Sequence, residues 1–324
     1  MSHQLRNPGQ DLGGDPQRVP VPSRDGLRAA QPRSARAIVL AIAFLLPACE
    51  GFVCSQERIK AIELANKGAE EFKNNLYDSA EKDLKQAIQT DPSYEIAYYN
   101  LGKVFQKQRK WDKAIESFEQ AVQHKPDNGN YQYDLGEAYL EAKKVDEAQK
   151  ALQAATQADP KLFKAWWRLG LVYKMLDRPK EADDALRHAI EANTRFSKPY
   201  VALGYLYLDY DFNKEAAQVF QGCVTAKDDD GECHNGYGLA LKNLKQYEQA
   251  TNEFKKAIDL DPELYDALYN CGMAYSDWFD EAHGNDQKEK AREYLQKFVT
   301  NGGKTADGNY VKAANDKLYA LSGP

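Results

Sequence analysis

The chain is poor in the residues that build most reactive centres. Five cysteines, five histidines and three methionines are spread over 324 residues. No Cys-x-x-Cys pair and no Cys/His pair at zinc-ligand spacing occurs, and five cysteines are too few for a disulfide-built scaffold. Long apolar runs are missing as well. The longest, AIVLAIAFLL at 37–46, has ten residues and as a helix rises only about 15 Å, half of a bilayer core of about 30 Å. Basic clusters are also lacking. The formal charge of −6 divides into +3 over residues 1–48 and −9 over the rest. An acidic body of this kind argues against nucleic acid as the main ligand. What is present, 43% hydrophobic and 28% charged residues, is the composition of a soluble globular chain with ample material for a core.

Residues 1–36 are rich in Pro, Gly, Arg, Gln and Asp and lack apolar periodicity, so a disordered leader is expected there. Arg28, Arg33 and Arg36 then precede the apolar residues of 37–48, in the order of a secretory signal peptide. The following LPAC, 46–49, resembles a bacterial lipobox, although Pro47 departs from the usual small or β-branched residue. That resemblance implies cleavage before Cys49, lipidation of its thiol and a short linker over 49–60. Two alternatives stay open: ordinary signal-peptidase cleavage after Ser55, with Val53 upstream, and a segment that is never processed. The stretch before Arg28 is long for a leader, which suggests initiation further along the chain.

The body of the chain is periodic. Glycine recurs every 34 residues, at Gly68, Gly102, Gly136, Gly170, Gly204, Gly238 and Gly272. Ala80, Ala114, Ala148, Ala182, Ala216 and Ala250 keep the same phase, as do Ala87, Ala121, Ala155, Ala189, Cys223 and Ala257. Pro92, Pro126, Pro160 and Pro262 close four of the units. Glycine inside a helix costs about 1 kcal/mol against alanine, so seven of them need a packing reason. Small residues in two phases let paired antiparallel helices approach closely. Leu84, Phe118, Leu152, Leu186, Phe220 and Phe254 are then expected to face the glycines from the second helix.

This pattern resembles the tetratricopeptide repeat; YYNLGKVFQKQRKWDKAIESFEQAVQHKP, 98–126, fits that family almost throughout. The resemblance implies an all-α, right-handed superhelix (an α-solenoid) of about seven helix-turn-helix units. Six contiguous units occupy 61–264. A longer seventh fills 265–308, with residues 277–290 read as an extended connection, and a capping helix follows over 309–324. The first helices of such units line a concave groove that takes a protein or peptide. By family position the groove residues are Tyr99, Lys103, Tyr133, Glu137, Lys164, Trp167, Arg168, Lys174, Tyr205, Asn235 and Tyr269. Tyr99, Tyr133 and Trp167 hold equivalent places and are expected to form an aromatic ladder; tyrosine is also common at that place in the family. Lys164 and Arg168 match the two cations of the family's carboxylate clamp. Asp134 stands where that clamp needs an asparagine, so a solvated groove face or a site for an acidic side chain is the better reading.

Other motifs carry no chemistry. GGKT at 302–305 copies the tail of a phosphate loop, but Phe298 sits where its first glycine belongs, and a helix end is expected. DDDGE at 228–232 lacks calcium-loop ligands at Ala226 and Tyr237 and reads as a turn. Cys223, Cys233 and Cys271 read as buried free thiols, with a Cys223–Cys233 bond as the alternative in an oxidising compartment. No histidine pairs with a nucleophile in a recognised motif, and no catalytic residue, metal, cofactor or small-molecule substrate is expected. The reading is an exported interaction scaffold, lipid-anchored at the bacterial envelope on the periplasmic face of the outer membrane. Families with this layout include type IV pilus pilotins and adaptors for peptidoglycan hydrolases. A cytosolic co-chaperone or regulatory binder is the alternative. An enzyme with its site in 277–324 is a third reading, and nothing in the sequence names a substrate for it.

Overall fold

The seven mid-helix glycines lie where a neighbouring helix leaves no room for a larger residue. In a computed structural model describing residues 56–302 and 308–323, each sits on the first helix of a pair beneath a large side chain of the second. A Cβ at Gly68, Gly102, Gly136, Gly170, Gly204, Gly238 or Gly272 would fall 2.4–2.7 Å from Leu84, Phe118, Leu152, Leu186, Phe220, Phe254 or Leu295 respectively. The first six contacts are those expected from the spacing.

Among the described residues the chain forms fifteen α-helices and no strand. In order these are α1 (Gln56–Lys73), α2 (Tyr77–Thr90), α3 (Glu95–Lys107), α4 (Trp111–His124), α5 (Gly129–Glu141), α6 (Val145–Ala158), α7 (Phe163–Met175) and α8 (Pro179–Ala192). They continue as α9 (Ser197–Asp209), α10 (Asn213–Ala226), α11 (Gly231–Asn243), α12 (Tyr247–Leu260), α13 (Tyr265–Ala282), α14 (Asn285–Asn301) and α15 (Gly308–Ser322). Odd and even helices pair from α1·α2 to α13·α14, each second helix packs on the next first helix, and α15 packs on α14. The result is an all-α solenoid, as the repeat implied. The described residues lie in one compact unit, Cys54–Pro324. The leader, the apolar run and Cys49 lie outside them.

Each turn within a pair is built around one residue in the left-handed region. Asn75, Arg109, Lys143, Asp177, Asp211 and Lys245 have φ of 54–61° and recur every 34 residues. Around them the chain doubles back on two backbone bonds. In the second unit, Arg109 N–H donates to the Gln106 carbonyl at 3.0 Å and Lys110 N–H to that of Phe105 at 2.9 Å. This is the glycine-type helix stop, occupied here by other residues.

Three expectations change. Residues 56–60, read as linker, form the first turn of α1; Arg58 Nε lies 2.7 Å from Asp91 Oδ2 and ties that turn to the end of α2. Residues 277–290, read as a connection, are mostly helical, and only His283 and Gly284 separate α13 from α14. The seven inserted residues equal about two helical turns, so both helices lengthen while keeping their buried faces in phase. Ala291 and Leu295 therefore pack as their counterparts do in shorter units. The capping helix begins at Gly308, one residue early. DDDGE is the expected turn at Asp228 and Asp229 and then runs into a helix: Asp230 caps α11 by accepting from the N–H groups of Glu232 and Cys233. Of GGKT, Gly302 closes α14, its N–H donating to Phe298 O at 2.8 Å, and the remainder lies outside the described residues.

Candidate functional site

Every candidate groove residue falls on a first helix of a unit: Tyr99 and Lys103 on α3, Tyr133 and Glu137 on α5, and Lys164, Trp167, Arg168 and Lys174 on α7. Tyr205 lies on α9, Asn235 on α11 and Tyr269 on α13. Most of them are already engaged with the neighbouring repeat. Tyr99 Oη donates to Asp134 Oδ2 at 2.5 Å, and Lys103 Nζ lies 3.1 Å from Asp134 Oδ1. Lys174 Nζ reaches Asp209 Oδ2 at 2.7 Å. Asn270 Nδ2 donates to Asn235 Oδ1 at 3.1 Å, and Asn235 Nδ2 to Tyr205 Oη at 3.4 Å. The groove face is thus a row of polar ties, each spanning about one repeat.

These ties alter the carboxylate-clamp comparison. Asp134 is 7% exposed and shares its charge with Lys103 and Tyr99, so it is a neutralised structural group more than a bare repulsive charge. The clamp fails chiefly at Arg168. Its Nε lies 2.8 Å from Glu137 Oε1, an ion pair in which the N–H is not aimed at the oxygen. Its guanidinium also covers the Trp167 ring, 4.5 Å from the centroid. Burial raises the Glu137 carboxyl above its usual range, with Arg168 opposing. The Tyr133 phenol is pushed up to about 12, first by burial and then by Glu137. Lys164 is exposed on α7.

The expected aromatic ladder does not form: among the described residues, no ring contact joins Tyr99 to Tyr133 or Tyr133 to Trp167. Tyr99 instead stacks on Tyr131, with centroids 4.5 Å apart, and Trp167 meets Phe196 edge-on at 5.4 Å. Equivalent places on successive first helices are separated enough that each ring finds a closer neighbour at its own repeat junction. Further along, Tyr205, Asn235 and Tyr269 converge on a cavity of about 370 Å³ between α9, α11, α13 and α15. Glu232, Asp266, Asn270 and Tyr310 complete its polar and aromatic lining, and the sequence reading did not single them out. Asn270 stands one residue past the repeat equivalent of Asn235, the same 35-residue offset that the Tyr99–Asp134 and Lys174–Asp209 ties span; Tyr310 comes from the cap, whose docking no repeat arithmetic supplies.

Cys223 and Cys233 are disulfide-bonded, with Cα atoms 5.7 Å apart, which corrects the free-thiol reading for both. Cys271 is a buried free thiol whose pKa is pushed up to about 12 by burial. His234 is buried between Glu253 and a backbone carbonyl: Nδ1 lies 2.6 Å from Glu253 Oε2 and Nε2 donates to Asp228 O at 3.0 Å. It anchors α11 to α12. Among the described residues no group of His, Cys, Asp and Glu could hold a metal ion, and no helix is long and apolar enough to cross a membrane.

Comparison with known proteins agrees with this architecture. A solved tetratricopeptide repeat protein from Parabacteroides merdae is similar at 17% identity and a TM-score of 0.55, with 83% of this chain and all of that one covered. Pseudomonas aeruginosa PilF is similar at 18% identity and a TM-score of 0.55, over 66% of this chain and 97% of its own. MamA shares 24% identity over 50% of this chain and 94% of its own, at a TM-score of 0.48. No protein of curated function matches. The model of the cilia and flagella-associated protein 70 C-terminal domain, a tetratricopeptide repeat domain, matches residues 37–276. The chain belongs to that tetratricopeptide repeat family, whose fold serves protein–protein interaction.

Proposed function

We propose that the protein is an exported scaffold, anchored to a bacterial envelope membrane through a lipid on Cys49, whose groove holds an extended segment of a partner protein during envelope assembly. The observation that carries the groove half is convergence. Three successive repeats send Tyr205, Asn235 and Tyr269 into one open cavity on the face that first helices share. A cavity of that size, part aromatic and part amide, is large enough to take a side chain of the partner.

Two features support the export half. LPAC follows a short apolar run in lipobox order. The Cys223–Cys233 bond belongs to an oxidising compartment, since cytosolic thiols are kept reduced. An anchored bacterial lipoprotein carries two or three acyl chains, which hold a protein stably where one would not.

The intact mass of native protein from a membrane fraction tests the anchor. A species beginning at Cys49 plus a diacylglyceryl group and an acyl chain is expected. A soluble species, full-length or beginning at Gln56, removes the anchor, and a full-length one moves the protein to the cytosol. The Lys164→Glu/Trp167→Ala double variant tests the groove by partner capture. Loss of capture with an unchanged helical melting curve is expected; unchanged capture removes this part of the groove from the function.

A further inference from the structure

The cavity at the end of the groove has an unusually one-sided chemistry. Asn235, only 4% exposed, takes the Asn270 amide hydrogen on its carbonyl and passes its own to the Tyr205 hydroxyl. This chain runs from donor to acceptor, so the Asn270 carbonyl is left at its open end as an acceptor. Glu232 and Asp266 add exposed carboxylates to the lining, both close enough to Tyr205 to raise its phenol, after burial, to about 12. Two walls are aromatic. Tyr269 and Tyr310 meet edge to face at 5.1 Å, the second brought in by the capping helix.

Helix dipoles explain an acid in the first turn of α11 and another in that of α13. They do not explain why both line one aromatic cavity with the Asn235–Asn270 amide pair at its wall. A ligand for that combination must be cationic, rich in donors and flat on one side. A carboxylate or phosphate would meet two like charges. A lysine ammonium would satisfy the charge as a point, without a plane to lie against the rings.

Given the groove reading, on which this step rests, we infer that the cavity receives an arginine side chain of the partner segment. The guanidinium lies against the Tyr269 and Tyr310 pair and directs its donors to Glu232, Asp266 and the Asn270 carbonyl. The partner segment is thereby required to carry an arginine, which fixes its position at the capped end of the solenoid.

Calorimetric titration of the full chain with Ac-Ala-Ala-Arg-Ala-Ala-NH2 tests this, beside the same peptide carrying citrulline or lysine. Citrulline keeps the shape and removes the charge. The arginine peptide is expected to bind at least ten-fold more tightly than the citrulline peptide, with lysine between them. Glu232→Gln/Asp266→Asn, at two exposed positions, should bring the arginine-to-citrulline ratio close to one. Equal binding of arginine and citrulline peptides, no binding of the arginine peptide at millimolar concentration, or a ratio that survives in the variant overturns the assignment. Lysine binding as tightly as arginine also overturns it, in favour of a site for any cation. Partner capture that persists in the Glu232→Gln/Asp266→Asn variant but fails in Lys164→Glu/Trp167→Ala overturns the pocket and leaves the groove standing.

Discussion

Phe220 shows how tightly a single residue is specified. It is fully buried, with Gly204 on one side and Gly236 on the other; a Cβ at either would stand 2.4 Å or 2.1 Å from its ring. Backbone lies close on both faces, so the ring cannot retreat. Gly204→Ala is expected to destabilise the fold by about 1–3 kcal/mol, the usual cost of overpacking, read from urea melts against the parent chain. A shift under about 0.5 kcal/mol would mean the repeats yield more than the contact implies. The partners of the repeat glycines were legible at this scale, because Leu84 through Phe254 keep a constant offset from them. The partners of the groove residues were not. Repeat arithmetic places Tyr99, Tyr133 and Trp167 at one register position, but Asp134, Tyr131 and Phe196 compete for them from other positions. Register says which face a side chain is on, and a neighbour's length and charge decide what it touches.

The pair turns pose a different problem at the scale of elements. A lysine, arginine or aspartate at positive φ costs about 1 kcal/mol or more, since the left-handed region crowds its Cβ. The chain accepts this at Arg109, Lys143, Asp177, Asp211 and Lys245. Lys143 is exposed, and no ion pair or side-chain hydrogen bond of its own opposes replacement. Lys143→Gly is therefore expected to stabilise the protein by a few tenths to about 1 kcal/mol, offset in part by the greater freedom of the unfolded chain. A lower melting temperature for that variant would contradict the turn geometry. This 34-residue series escaped the sequence reading because residue type varies along it while conformation does not. The seventh unit was misread for a related reason. DWFDEAHGNDQKEK contains a His-Gly break, and its polar half reads as loop. The helices run on with Tyr275 stacked on Trp278 within α13, at 6.1 Å, and on Tyr294 of α14 across the lengthened pair, at 5.8 Å. That contact joins residues whose proximity depends on the turn being formed.

At the scale of the whole molecule, stability is close to a sum of units and the junctions between them. The interrepeat ties along the first helices therefore serve two ends. They hold neighbouring units at fixed spacing, and they occupy charges that a groove would otherwise offer a ligand. Arg168 and Lys174 are engaged with Glu137 and Asp209, while Lys164 and the cavity beside the cap stay open. The paired helices were legible in the sequence through the period, and the solenoid through the resemblance to the tetratricopeptide repeat that the period carries. Its open end was not, because the docking of α15 depends on surfaces outside the repeat.

The central claim is that a partner lies along the first-helix face, and site-specific photo-crosslinking in cells tests it without removing any packed side chain. A benzophenone amino acid at Lys164, exposed on α7, is compared with the same group at Lys150, exposed on the second helix α6. A discrete covalent adduct from position 164 and none from position 150 is the expected result. Adducts from position 150 alone, or equally from both, would contradict the groove as the binding face.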